Sequence, residues 1–111
     1  MSDAPRFDEK DPAELVPLAF NFASDLATGE TLSGTPTVTV TAAISQQGAT
    51  LDPTPSAILN GPASLDSTRT KVVQPVTGGL AFNDYLLRAL CATTNANKTL
   101  VFAAILPVRT A

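Results

Sequence analysis

The sequence predicts an all-β fold in which two sheets stack face to face. Three observations carry this. Apolar and polar residues alternate at a period of two in several separate stretches, the mark of a half-buried strand. Clusters of Gly, Pro, Asn and Ser punctuate the chain roughly every 8–12 residues, as in sandwiches and barrels. No stretch sustains a helical period. With 111 residues the chain is sized for one domain and for one core that needs no metal or disulfide support.

Residues 1–14 are polar and charged, with Phe7 the one large apolar group after Met1. A solvated tail and an arm that orders against a neighbour both fit this composition; we expect the arm, with the domain proper over 15–111. Leu15 to Phe22 places Val16, Leu18, Phe20 and Phe22 on one face of a strand, and Pro17 marks a sheet edge. Residues 23–32 read as a crossover with one helical turn, whose Leu26 and Leu32 plug the end of the core. From Thr35 to Ile44, Val38, Val40, Ala42 and Ile44 face inward and Thr37, Thr39 and Thr41 outward, with the β-branched content strands favour. Gln46-Gln47-Gly48 ends it.

A looser region follows. Residues 51–56 are a Pro-rich connection, Ala57-Ile58-Leu59 a short strand, Asn60-Gly61-Pro62 a turn and residues 63–66 another short strand. Thr70 to Val76 is a strand whose Pro75 again indicates an edge. After Thr77-Gly78-Gly79 the chain enters a hairpin: Tyr85, Leu87, Ala89 and Cys91 share one strand face, Asn95-Ala96-Asn97-Lys98 turns, and Thr99 to Val108 returns. Asn tolerates the left-handed backbone of a tight turn. Such an apolar hairpin needs a second sheet over it. The count of about seven strands points to an immunoglobulin- or fibronectin-III-like β-sandwich; a small jelly roll or barrel is the alternative.

Composition narrows the function classes. Charged residues are 15% of the chain, well below the usual level of about 25%, so much of the surface is poorly protected against association. Net charge is −3 and the basic residues are scattered, which argues against nucleic-acid binding through phosphates. No apolar core follows the first residues as in a signal peptide, and no run approaches the roughly 20 apolar residues of a membrane span; folding in a cytoplasm is the expectation. Cys91 reads as a small buried hydrophobe. With no His, Ser-His-Asp and Cys-His pairs are ruled out and the commonest metal nitrogen ligand is missing. Gly78-Gly79 belongs to no phosphate-binding pattern. The carboxylates that cluster, Asp8, Glu9, Asp11 and Glu14, fall on the arm without a calcium-loop spacing. We expect no enzyme and no cofactor.

A resemblance supplies a setting. Asp11-Pro12, Leu18-Ala19-Phe20-Asn21-Phe22 and Leu26-Ala27-Thr28-Gly29-Glu30-Thr31-Leu32 with its following Thr-Val strand look like the start of small tailed-phage virion proteins of the phage fiber-tail adaptor type. Gly78-Gly79, Tyr85-x-Leu87 and Thr93-Thr94-Asn95-Ala96-Asn97-Lys98 resemble their end. The pattern of that family reads Asp-Pro, Tyr-x-Ile-Asp-Trp, Leu-x-x-Gly-Asp-Thr-Ile, Gly-Gly-x-x-Gly-x-x-Tyr, Thr-x-x-Gly-Arg. Here Leu18, Asn21 and Phe22 replace its Tyr, Asp and Trp, Phe82 its third Gly, and Asn97-Lys98 its Gly-Arg.

The resemblance implies a non-enzymatic virion component in symmetric multi-copy assembly, an adaptor joining the tail or connector to fibres, made in a host bacterial cytoplasm. Its partners would be other virion proteins: connector, tail or fibre. Capsid decoration on the major capsid protein is one alternative and a host-glycan-binding module another, though sugar platforms favour exposed aromatic rings and this chain has no Trp and one Tyr. The interface candidates are Phe7, Asp8, Lys10 and Asp11 on the arm, and Leu86 and Leu90 paired with Phe102 or Leu106 on the hairpin. The isolated protein is expected to be monomeric or weakly associated, with residues 1–14 ordering only in the particle.

Overall fold

In the computed structural model, which describes residues 5–110, the strands are β1 (Leu15–Asn21), β2 (Leu32–Ile44), β3 (Ser64–Leu65), β4 (Lys71–Thr77), β5 (Asn83–Thr93) and β6 (Thr99–Val108). They form two antiparallel three-stranded sheets, ordered β1-β4-β3 and β2-β5-β6. The fold is therefore an all-β sandwich.

β5 is the centre of its sheet and shows the period-two rule without a break: every odd residue from Asn83 to Thr93 is buried, and each even one is half-buried or exposed. Its Tyr85, Leu87, Ala89 and Cys91 join Ala104, Leu106 and Val108 of β6 to make one wall of the core. Leu18, Phe20 and Phe22, with Val72 and Val76 of β4, make the other. The walls meet through rings: Phe102 lies edge-on to Phe20 at 6.0 Å and to Phe22 at 5.7 Å between centroids, the arrangement that aligns ring edges with ring faces. Leu32 is fully buried and Leu26 packs on the core from the 23–31 connection, so both serve as plugs. That connection contains the helical turn, a 3-10 segment over Ala23–Asp25.

Several expectations change. The described residues hold six strands rather than about seven, because Ala57-Ile58-Leu59 is not a strand: Pro55–Ile58 forms a 3-10 turn, with Pro55 at its start, where proline's fixed φ suits a helix and its missing N–H costs nothing. β4 is central, despite Pro75. Pro75 faces Pro17 across β1 and β4. Neither has an N–H, so they form a non-hydrogen-bonded pair whose peptide groups point away from each other. The Pro75 carbonyl instead accepts from Asn60 N–H at 3.0 Å, on the side where β3, paired only at Val73 and Val72, has already ended. Proline thus sits centrally at the one place where its neighbour asks for no donor. Ile44, expected inside, is 47% exposed at the end of β2.

The Asn-rich turn also works differently. Neither Asn95 nor Asn97 has a positive φ; among the described non-glycine residues only Arg69 and Phe82 do. Asn95 closes the turn by accepting from Asn97 N–H on its side chain at 3.0 Å and from Lys98 N–H on its carbonyl at 3.0 Å. This is the local side-chain bond that makes Asn a turn former without a left-handed backbone.

The arm departs furthest from expectation. Residues 1–4 lie outside the described residues. Residues 5–10 do not await a neighbour but run parallel to β6 of their own domain, bridging Arg6 to Ile105 and Lys10 to Val108. Ile105 N–H donates to the Pro5 carbonyl, Phe7 N–H to Ile105, Lys10 N–H to Pro107 and Arg109 N–H to Lys10, at 2.8–3.0 Å. Between the two bridges the arm advances four residues and β6 three, so the arm carries a bulge. The bulge falls opposite Pro107, which has no N–H to continue the ladder. Phe7 packs edge-on against Phe20 at 5.3 Å, and the arm thereby covers the sheet edge that β6 would otherwise leave open.

Candidate functional site

The hairpin register decides which residues reach the outer face of β2-β5-β6. Leu86 pairs with Ile105, Arg88 with Ala103 and Leu90 with Val101, while Thr41, Thr39 and Thr37 of β2 flank them on the other side. Leu86 is 41% exposed, Leu90 36% and Val101 44%. The result is an apolar stripe along two strands, bordered by threonine hydroxyls, with Arg88 as its central charge. Leu86 and Leu90 therefore lie where expected. Their expected partners do not: Phe102 pairs with Ala89, and Leu106 with Tyr85, both on the inner face. Leu106 is buried, and Phe102 is half-buried among the core rings. Val101 and Ile105 take their places. The sequence held the signal for this, since Thr93 and Lys98 flank the turn and counting outward from that pair puts Leu86 opposite Ile105.

At one end of the stripe Asp84 holds two cations, Arg109 at 2.8 Å and Arg6 at 3.5 Å. Arg109 also lies over the Phe82 ring at 5.8 Å. Asp84 thus ties the arm and the last strand to the sheet.

Of the arm candidates, Asp8 is exposed and Asp11 half-buried. Asp11 accepts from Ala13 N–H on its side chain, and its own N–H donates to Glu14 at 2.7 Å, a compact turn that leads the arm into β1. Phe7 is half-buried in the core and Lys10 is only 2% exposed. The Lys10 ammonium donates to the carbonyls of Gly78 at 2.8 Å and Asp11 at 2.9 Å. Burial lowers its pKa, against the opposing pull of Glu14 and Asp11. Lys10 is a structural clasp between the arm and the β4–β5 turn rather than a surface charge. Between arm and β1 lies a groove of about 550 Å³; Val16, Leu18 and Leu106 give it an apolar lining and Asp8, Glu9 and Glu14 its carboxylates.

Opposite the turn end, Tyr85 is fully buried. Its hydroxyl accepts from Leu80 N–H at 2.8 Å and donates to Asp52 Oδ2 at 2.7 Å. Burial, reinforced by the Asp52 carboxylate, pushes its pKa up to about 12. Cys91 is buried and free, and burial raises its thiol pKa too, the opposite of what a nucleophilic thiolate requires. Among the described residues no three His, Cys, Asp or Glu side chains group to hold a metal ion, and no helix is long and apolar enough to cross a membrane. Comparison with known proteins finds no matching family model, no matching curated protein and no matching solved structure.

Proposed function

We propose that this chain is a non-enzymatic structural protein of a tailed bacteriophage particle, an immunoglobulin-like adaptor that joins the tail or connector to fibres through a sheet face. The observation that carries the adhesive part of this reading is the outer stripe of Leu86, Ile105, Leu90 and Val101. It is an apolar face with one central charge on a rigid sheet, the composition of an interface core rather than of free surface.

The phage setting comes from the resemblance, and the way its scattered motifs meet in space supports it. Gly29-Glu30-Thr31 lies against Thr94 and Lys98: Thr94 N–H donates to the Thr31 carbonyl at 2.9 Å, and the Lys98 ammonium sits 2.7 Å from Glu30 Oε1. That lysine bond holds the Glu30 pKa below its usual range. Glu30 stands where the family pattern has Asp and Lys98 where it has Arg, so the opposite charges are kept as a pair. The pattern's three glycines fall at Gly78, Gly79 and Phe82, with φ of 70°, 97° and 62°. All three lie in the left-handed region that favours glycine. Tyr85, the pattern's Tyr, bonds back to the backbone five residues upstream, as the corner tyrosine of immunoglobulin-like sandwiches does.

A glycan-binding role finds no such support: Tyr85, Phe20 and Phe22 are buried and the other rings are half-buried. Counting copies per purified particle by quantitative mass spectrometry tests the proposal. A ring of about six or twelve copies, lost together with the fibres when Leu86 and Leu90 are changed to Lys, is the expected result. Hundreds of copies would assign the protein to the shell, and its absence from particles would overturn the reading.

A further inference from the structure

We propose that the groove between the arm and β1 is a strand-addition site for an extended segment of another protein, one in which small apolar side chains alternate with Lys or Arg. The site differs from the outer sheet face and does not depend on the phage setting.

Because Pro17 and Pro75 form a non-hydrogen-bonded pair, the even residues of β1 bond to β4; Phe22 N–H to the Thr70 carbonyl at 2.9 Å continues the same register. The odd residues then turn their peptide groups away from β4. Ala19 offers an N–H and a C=O, and Pro17 a C=O, and nothing among the described residues bonds to them. Across the groove the arm spends the Pro5 carbonyl, the Phe7 N–H and both peptide groups of Lys10 on β6. Alternation turns the Arg6 N–H and C=O away from β6, those of Asp8 and Glu9 fall in the bulge, and no described group bonds to any of them. Two backbone edges with unmet donors and acceptors therefore face one cleft, and an added strand satisfies both while closing the seam between the sheets.

Side-chain chemistry selects the occupant. Residues 16–19 line the groove, which at about 3.3 Å per residue is room for a strand of about four residues, and the 550 Å³ volume lies within the range of about 300–1,000 Å³ typical of ligand clefts. An added strand points alternate side chains inward, onto Val16, Leu18 and Leu106, and the others outward, past exposed Asp8, Glu9 and Glu14. Among the described residues Lys10 is the one cation of the lining, and its ammonium is committed to two carbonyls. Apolar inside and basic outside is the complement of that cleft.

The test uses the full chain and a fluorescein-labelled seven-residue peptide of alternating valine and lysine, read by anisotropy at low and high salt. Saturable binding that weakens at least tenfold in high salt is expected, together with shifts of the Ala19 and Asp8 amide signals. A valine–glutamate peptide should bind at least tenfold more weakly. Ala19→Pro removes the outward N–H without breaking a β1–β4 bond and should cost a comparable factor. Glu9→Lys, whose exposed side chain makes no bond to a described residue of the arm or β1, should weaken the valine–lysine peptide alone. No binding of the valine–lysine peptide, equal binding of the two peptides, or a folded A19P protein with unchanged affinity would overturn the proposal. So would concentration-dependent shifts of the same amides without peptide, which would give the edge to a second copy of this chain.

Discussion

Replacing Tyr85 by Phe removes one oxygen atom from the core and leaves the ring in place, so no cavity is made. The hydroxyl accepts from Leu80 N–H and donates to Asp52. Its loss strands the N–H, which costs about 1–3 kcal/mol when buried, and deletes a bond to a charged acceptor, which contributes about 1.5–3 kcal/mol. Leu80 is 38% exposed as a residue, so water can replace part of the lost bond and the two costs do not add in full. We expect a net loss of about 2 kcal/mol, a fall in melting temperature of roughly 8 °C for a domain this size. Urea unfolding followed by circular dichroism measures it. The same variant carries a pH signature. The native pKa of about 12 lies above the ordinary 10.0, so the native state holds its proton after the unfolded chain has lost it. The stabilisation is complete below pH 10 and drains away as pH rises towards 12. The difference in stability between wild type and Tyr85→Phe should therefore shrink across that window. A loss under about 0.5 kcal/mol, or a difference that stays constant from pH 9 to 12, would refute the assigned role of the hydroxyl.

Further predictions concern backbone, charge, face and arm. A Cβ on Gly79 would meet Val108 Cγ2 at 3.2 Å with φ at +97°, whereas one on Gly29 meets nothing within 4 Å; Gly79→Ala should cost about 3 kcal/mol and Gly29→Ala about 1, and equal costs would show that the close approach is unimportant. Bonds from Thr68 and from the Lys71 and Thr70 amides hold the Asp66 pKa at about 2, against an ordinary 3.8. Its contribution is intact above pH 3.8 and lost as pH falls towards 2, so acid titration of Asp66→Asn should lack that limb. Leu87→Ala should cost about 2–5 kcal/mol, while Leu86→Ser and Leu90→Ser should each cost under about 0.5 kcal/mol in chemical denaturation. The Phe7 and Lys10 amides should be protected from hydrogen exchange in the free protein, and Phe7→Ala should speed both at least tenfold; fast exchange in wild type would place the arm off β6.

Where burial imposes a period, the sequence was readable. The alternation of β5 gives Tyr85, Leu87, Ala89 and Cys91 as inward residues, though not the buried Asn83 and Thr93 at its ends, and the same rule gives Leu18, Phe20 and Phe22. What escaped reading is what periodicity does not encode. Residues 53–66 hold pairings too short to show alternation, and Pro17, Pro75 and Pro107 act through single missing donors. The arm is held by main-chain bonds that any residue could make, so its charged composition suggested detachment while its backbone was committed to β6. Lys10 belies its type, because its ammonium donates to the carbonyls of Asp11 and Gly78. Phe82 carries a left-handed φ under a side chain that ordinarily forbids it. Of the outer sheet face, alternation alone shows Leu86 and Leu90, whereas Val101 and Ile105 follow only from the register set at the Thr93–Lys98 turn.

The parallel lie of arm and β6 has a mechanical consequence. The arm enters at Ile105 and leaves at Val108, while β6 runs out in the same direction beyond Arg109. A pull that drew the two chain ends apart would load all their shared bonds side by side, in shear, instead of opening them one after another like a zip. Such a clamp yields only when several bonds fail together, so the geometry suits a part that transmits tension through its ends.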